Sequence, residues 1–391
     1  MAPKRSRDDT TVDDSTPTKK QLLENKSALN AIRLPSEAHS PASDNEDFRI
    51  ITGTYERILY GINAYWEKEN GSTKIKMQPV FIVPAHTGCI KTVAVGGQFL
   101  ASGSTDEIIR LYDVKKRKEY GSLGGQHSGD LTDIQFFGRY MLTASDDKTI
   151  CIWRKKDWEY LKTLKGHKGR VNSLAIHPSG KIALSVSADR TAIVWNLMTA
   201  RKASQNKLGQ EGLCVRWNKS GDHYAIMFDR QINIYNVTDA EVAVSISQRS
   251  RFLCMQYYTS KAGKEYLITG SEDRIARIWD ASTGESVVEL KGHKLRVKTL
   301  AVIESKPGES DEEVGVLVTV SSDGMIKCWD IEAALAGDEN PLFGEYDTKS
   351  RVTCCTAHLG FKTVASSSST ATKNSNNNVT IAEEKEEDEE E

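Results

Sequence analysis

The sequence predicts an all-β fold, a seven-bladed β-propeller carried between two polar tails. Three observations predict it. A Ser/Thr-rich segment, an Asp and an aromatic six positions later recur together at Asp106, Asp147, Asp189, Asp229, Asp273 and Asp323, spaced 41, 42, 40, 44 and 50 apart. Each unit alternates apolar and polar residues between Gly, Asp and Ser, the pattern of short half-buried strands joined by tight turns. A weaker copy, IITGTYERILYGI at 50–62, comes first, with Glu56 in the Asp place and Ile62 in the aromatic one. A repeat of about 40–45 residues holding four strands is one propeller blade.

Residues 1–47 are rich in Ser, Thr, Asp, Pro and Lys and read as a disordered tail. Within it, Pro3-Lys4-Arg5-Ser6-Arg7 with Lys19-Lys20 has the composition of a nuclear localisation signal, and Gln21–Leu34 that of a weak helix. Thr16-Pro17 and Ser40-Pro41 are candidate phosphorylation sites. The propeller is predicted over 48–365. The first marker opens directly at a second strand, FRIITGT, while KSRVTCCTAHL at 349–359 reads as a first strand with no second after it. Pairing 351–357 with 48–54 completes the first blade and removes two open sheet edges. The long gap before Asp323 contains SKPGESDEEVG, read as a loop. Residues 366–391 are a polar linker and an acidic tail.

The formal net charge of −2 is unevenly shared: −7 on EEKEEDEEE at the C-terminus, −2 on 1–47 and +7 on the middle. The tail is a solubility device, a competitor for the chain's own basic surface, or a contact for basic partners. Seven cysteines, without a C-x-x-C pair and with Cys354 beside Cys355, suit a reduced protein lacking a disulfide framework or zinc site. No run of 18 apolar residues suggests a membrane span, and MAPKRSRDDT has no secretory core. No nucleotide loop, paired-carboxylate site or catalytic triad stands out, so neither catalytic nor cofactor nor metal residues are assigned. No small-molecule substrate is expected.

Basic residues repeat in phase. The position before each first strand holds Arg170, Arg251, Arg296 and Arg351 in four of seven units. The position after the turn acid holds Arg57, Lys148, Arg190, Arg230 and Arg274 in five of seven. Both sets should lie at one end, as a face for an acidic peptide, a phosphorylated segment or an RNA backbone. The plainer account is that Arg and Lys are common in exposed turns. Lys115–Lys118 and Arg154–Lys156, after third strands, are expected on the rim or opposite face; contact with RNA is one reading of them and a solvated turn the simpler one.

KGHKGRV at 165–171 nearly recurs as KGHKLRV at 291–297. A metal reading of His167 and His293 needs convergent ligands, and a catalytic one needs an exposed Ser. Neither pattern is present. The endings Trp195-Asn196, Trp279-Asp280 and Trp329-Asp330 resemble the WD-repeat family. The resemblance implies a buried chain from Trp through Ser/Thr and His to Asp. It maps onto His127, Thr143, Asp147 and Trp153, and onto His167, Ser185, Asp189 and Trp195. It maps likewise onto the full set His293, Thr319, Asp323 and Trp329, and in part onto His86, Ser102 and Asp106 and onto Thr269, Asp273 and Trp279. Donor-only indole, relaying hydroxyl, two-sided imidazole and accepting carboxylate suit such a chain. Gln210 and Gln248 stand in the His place of two units and Ala225 replaces a Ser/Thr. Those units are expected to rest more on packing.

ITGTYERILYGI followed by HTGCIKTVAVGGQFLASGSTDEIIRLYD resembles the PAK-interacting WD-repeat proteins (PAK, p21-activated kinase) over roughly 48–360. The resemblance implies a non-enzymatic nucleolar scaffold in large-ribosomal-subunit assembly, located in nucleus and nucleolus. Its partners would be basic ribosomal-protein-like components or assembly factors of pre-ribosomal particles, with ribosomal RNA backbone as a further contact, and the chain would be monomeric within a larger complex. The alternative it implies is an adaptor that restrains a PAK-type kinase.

Overall fold

The computed structural model describes residues 46–69, 72–307 and 312–360. The localisation motif, the Gln21–Leu34 segment, both phosphorylation candidates, residues 361–365 and the acidic tail lie outside the described residues. Seven four-stranded antiparallel sheets form the blades. Blade 1 combines the strands of 48–84 with Val352–Leu359; blades 2 to 7 span 90–123, 131–165, 171–207, 214–247, 252–290 and 297–347. Within each blade the strands run from the centre outward, and the seven first strands touch their neighbours around the ring. The fold is the seven-bladed propeller that the period implied.

Closure pairs Phe48 with Leu359 and Thr54 with Val352. The strand therefore starts after Arg351 and runs past Ala357. Arg351 stays outside it, and its carbonyl accepts the Tyr55 N–H at 2.8 Å. The core lies between blades, where the alternating apolar faces of adjacent sheets meet. Blades 3 and 4 share Leu142, Ile150, Leu164, Val171, Ile193 and Trp195. Blades 7 and 1 share Phe48, Ile50, Ile62, Val316, Val318 and Ile326. Each such buried side chain contributes about 1.5–3 kcal/mol, so blade 1 is held by its neighbours as much as by its own ladder.

Two local features depart from the sequence reading. SKPGESDEEVG is loop only in part: strands reach Ser305 on one side and begin at Val314 on the other, while 308–311 lie outside the described residues. A five-residue helix, Ile331–Leu335, replaces the expected third turn of blade 7. Asp330 caps it by accepting the Ala333 N–H, which a Trp-Asp dipeptide read as a repeat ending conceals.

Candidate functional site

The turn joining the second and third strands and the loop leading into the first strand meet at one end of each blade. Backbone bonds fasten them: the carbonyls of Arg170, Arg251 and Arg296 accept the N–H groups of Ala188, Glu272 and Ser322 at 3.0, 3.0 and 3.1 Å. Five of the turn residues, Arg57, Glu107, Lys148, Arg190 and Arg274, have φ between 60° and 74°, and Gly324 has φ 92°. Left-handed backbone is costly for side chains other than Gly. The tight hairpin imposes it here and leaves Arg57, Lys148, Arg190 and Arg274 exposed.

The His chains pin this end. In blade 3, Nδ1 of His127 donates to Asp147 at 2.8 Å and Nε2 meets Thr143 Oγ1 at 2.8 Å, while Trp153 Nε1 donates to Thr143 at 3.0 Å. In blade 4 the corresponding distances, through His167, Asp189, Ser185 and Trp195, are 3.2, 2.8 and 2.8 Å. In blade 2, His86 joins Asp106 at 3.0 Å and Ser102 at 2.7 Å, with Tyr112 in the indole place. Burial lowers the pKa of His86 and His167 despite their Asp partners. Burial also opposes charge on His127, but the bonds to Asp147 and Cys151 outweigh it and raise that pKa. Asp189 is held near pKa 2: burial works against this, and Thr191, the Lys168 N–H and His167 prevail.

Blades 6 and 7 correct the mapped chains. Trp279 donates to Thr269 at 2.8 Å, but Asp273 pairs with Arg277 at 2.8 Å, and Arg277 also reaches Gln248 at 3.1 Å and Glu289 at 2.9 Å. Blade 6 therefore has a charged network where packing alone was expected. In blade 7, Trp329 and His293 both reach Thr319, at 2.7 and 2.8 Å, yet His293 Nδ1 has no partner among the described residues and Asp323 is not bonded to it. The reason lies two residues after the His. Blades 2, 3 and 4 have Gly88, Gly129 and Gly169 there, and a Cβ on these would stand 2.8–2.9 Å from the backbone N of the turn Asp. Blade 7 has Leu295, whose Cβ would crowd the turn Asp in that approach, although the Arg296 carbonyl still holds the Ser322 N–H. The counterparts of Lys294 (Thr87, Ser128 and Lys168) all donate an N–H to the Asp. His293 is left with a pKa of about 4, lowered by burial and then by Lys327.

The predicted basic face is not an even ring. Arg170 is tied to Glu211 at 3.0 Å and Arg251 to Asp229 at 2.5 Å, with Arg230 at 3.8 Å from the same Asp229. The charge is concentrated where blade 7 stands open. There, Arg274, Lys294, Leu295, Arg296, Lys349 and Arg351 line a depression of about 600 Å³, with Glu272 and Asp323 as its acids. Arg296 Nε bonds Ser322 Oγ at 3.0 Å, and the Arg351 guanidinium lies 5.1 Å from the exposed Tyr55 ring. Leu295 is 50% exposed, an apolar anchor among cations. Lys294, Leu295, Lys349 and Tyr55 were missed from sequence. The one available signal was Leu in place of Gly within KGHKLRV.

The family description "WD domain, G-beta repeat" matches residues 77–113, 118–154, 158–196, 240–280 and 284–330. The unmatched 197–239 stretch falls mainly on blade 5, which lacks the His, the Ser/Thr and the indole. The chain is 35% identical to p21-activated protein kinase-interacting protein 1-like of Danio rerio, over 79% of this chain and 80% of that protein. It is 34% identical to Protein MAK11 of Saccharomyces cerevisiae, over 81% and 84%. Identity to Shk1 kinase-binding protein 15 of Schizosaccharomyces pombe is 29%, over 80% and 84%.

Proposed function

The chain belongs to the WD-repeat family that includes p21-activated protein kinase-interacting protein 1 and Protein MAK11, and on that premise we propose that it is a non-enzymatic nucleolar assembly factor for the large ribosomal subunit. The observation that carries a docking role is the open sector of blades 6, 7 and 1. Five basic side chains against two acids, around an exposed Leu295, suit an acidic segment with one apolar anchor from an assembly partner. The ribosomal assignment is supported by the likeness at 50–62 and by the basic middle of the chain. The test replaces the cell's only copy with the Arg274→Glu, Arg296→Glu, Arg351→Glu chain. The expected result is less mature large subunit on a sucrose gradient and accumulated precursor RNA. Normal levels of both, with the variant chain stably present, would sink the proposal.

A second reading is an adaptor that binds and restrains a PAK-type kinase. The names of the Danio rerio and Schizosaccharomyces pombe relatives, which describe kinase interaction, favour it. It expects co-purification with a kinase regulatory segment, lost in the same variant.

A further inference from the structure

The opposite end of the propeller holds a second concentration of charge, confined to blades 2 and 3. The last turn of blade 2 is Lys115-Lys116-Arg117, running into Lys118; that of blade 3 is Arg154-Lys155-Lys156. Backbone pairing brings Arg139 to the same place, its carbonyl accepting the Lys155 N–H at 2.7 Å. Lys155 in turn reaches blade 2, its Nζ lying 3.9 Å from where a Cβ on Gly97 would stand. Repeat phase alone placed these lysines in separate turns; the fold makes one corner of them.

Aromatic rings share that corner. Trp158 stands edge-on to Phe99 with centroids 5.0 Å apart and lies 6.3 Å from Tyr120, bridging the two blades. Tyr120 is 57% exposed and Tyr140 46%. Trp158 itself is buried, and its Nε1–H has no partner among the described residues. The neighbouring acids are already engaged. Asp157 and Glu159 hold Arg154, Glu119 holds Arg110 and Asp113 lies near Lys116. Lys115, Lys118, Arg139, Lys155 and Lys156 keep their charge without a described acidic partner.

We infer that this corner binds a single-stranded polynucleotide. The lysines and Arg139 follow the phosphates, and Tyr120 and Tyr140 offer faces to unpaired bases. Stacking on exposed rings beside a basic track is how single strands are held without sequence readout. A duplex hides its base faces and leaves the tyrosines unused. An acidic protein segment would use the cations but not two separate exposed rings. The inference does not depend on the partner bound at the arginine end.

Fluorescence anisotropy on the full chain tests it, with fluorescein-labelled oligouridylate and oligodeoxythymidylate as probes and an RNA duplex of equal length as comparison. At least one single strand should bind more tightly than the duplex. Log affinity should fall with log salt by about 0.7 per phosphate contacted. Lys118→Glu, Lys155→Glu, Lys156→Glu together should weaken binding at least about tenfold and flatten the salt slope. Tyr120→Leu, which keeps an apolar contact on Phe99, should weaken it about five- to a hundredfold. Arg296→Glu, Arg351→Glu should leave it unchanged, which separates this site from the arginine end. All three variants should melt as wild type does. No binding of either strand at low salt, equal binding of the duplex, or loss of binding only in the arginine variant would each overturn the inference.

Discussion

Blades 4 and 7 carry nearly the same loop, KGHKGRV and KGHKLRV, and end in different states. In blade 4 the loop lies on the turn, His167 reaches both Asp189 and Ser185, and the Lys168 N–H adds a bond to the carboxylate at 2.7 Å. In blade 7 the Arg296 carbonyl still holds the Ser322 N–H at 3.1 Å, but His293 keeps only Thr319, and Leu295 lines a basic depression with its neighbours. One Cβ makes the difference. Gly169 allows an approach that Leu295 forbids, so a structural bolt in one blade becomes part of a candidate docking site in another.

Removing Val352–Leu359 should erase the contrast altogether. Blade 1 would lose its first strand, blades 7 and 1 their shared core, and the ring its closure. The expected outcome is an insoluble chain or one without a cooperative melting transition; an unchanged transition would refute the closure argument. Next in size is Gly169→Leu, which should turn blade 4 into a copy of blade 7. Its Cβ would meet Asp189 N at 2.8 Å, and a buried network that loses its carboxylate costs about 3 kcal/mol. Urea denaturation should show that loss, with no comparable effect from Asp323→Ala in blade 7.

Acid should act most on blade 7, by a similar amount, and in the same direction on blades 2 and 4, where burial also lowers His86 and His167. The folded pKa of His293, about 4, is below the value of about 6.5 in an unfolded chain. Its contribution is therefore complete above pH ~6.5 and is lost as pH falls toward ~4, at most about 3 kcal/mol. His127 runs the other way. Its raised pKa gives stability that is present below pH ~6.5 and fades as pH rises through the folded value. Hydrogen exchange should thus show blade 7 amides loosening first in acid and blade 3 amides first in alkali; the same order at both extremes would contradict the assignment. The smallest effect is expected from Leu295→Gly. It should let Asp323 reach His293, raise the imidazole pKa in an NMR titration, and stabilise by about 1 kcal/mol at most, since an added Gly costs about 0.5–1 kcal/mol of backbone entropy.

Blade period, strand phase and the turn end carrying the arginines were legible in the residues, because each follows from alternation and from turn chemistry local to one unit. The network around Arg277 was not, because the same Asp, Thr and Trp markers surround Gln248 rather than His, and only the sheet register puts Arg277 beside Glu289. The lysine and tyrosine corner was hidden for a related reason. Lys155, Gly97, Trp158 and Tyr120 belong to different blades, and their separations along the chain say nothing of their distance.

The buried polar chain of blades 3 and 4 was implied by the resemblance to the WD-repeat family; by itself the sequence determined a ring of seven similar sheets and a common end for the phased arginines. These depend on periodicity and on residue type. The tertiary structure decided which of those charges stay available. Arg170 meets Glu211, 41 residues away, and Arg251 meets Asp229, whereas Arg274, Arg296 and Arg351 gather around a depression that Leu295 helps to line. Ion pairs and hydrogen bonds act over a few ångströms. A repeat sets the end of the propeller on which a side chain stands, and the packing of neighbouring blades sets what lies within reach of it.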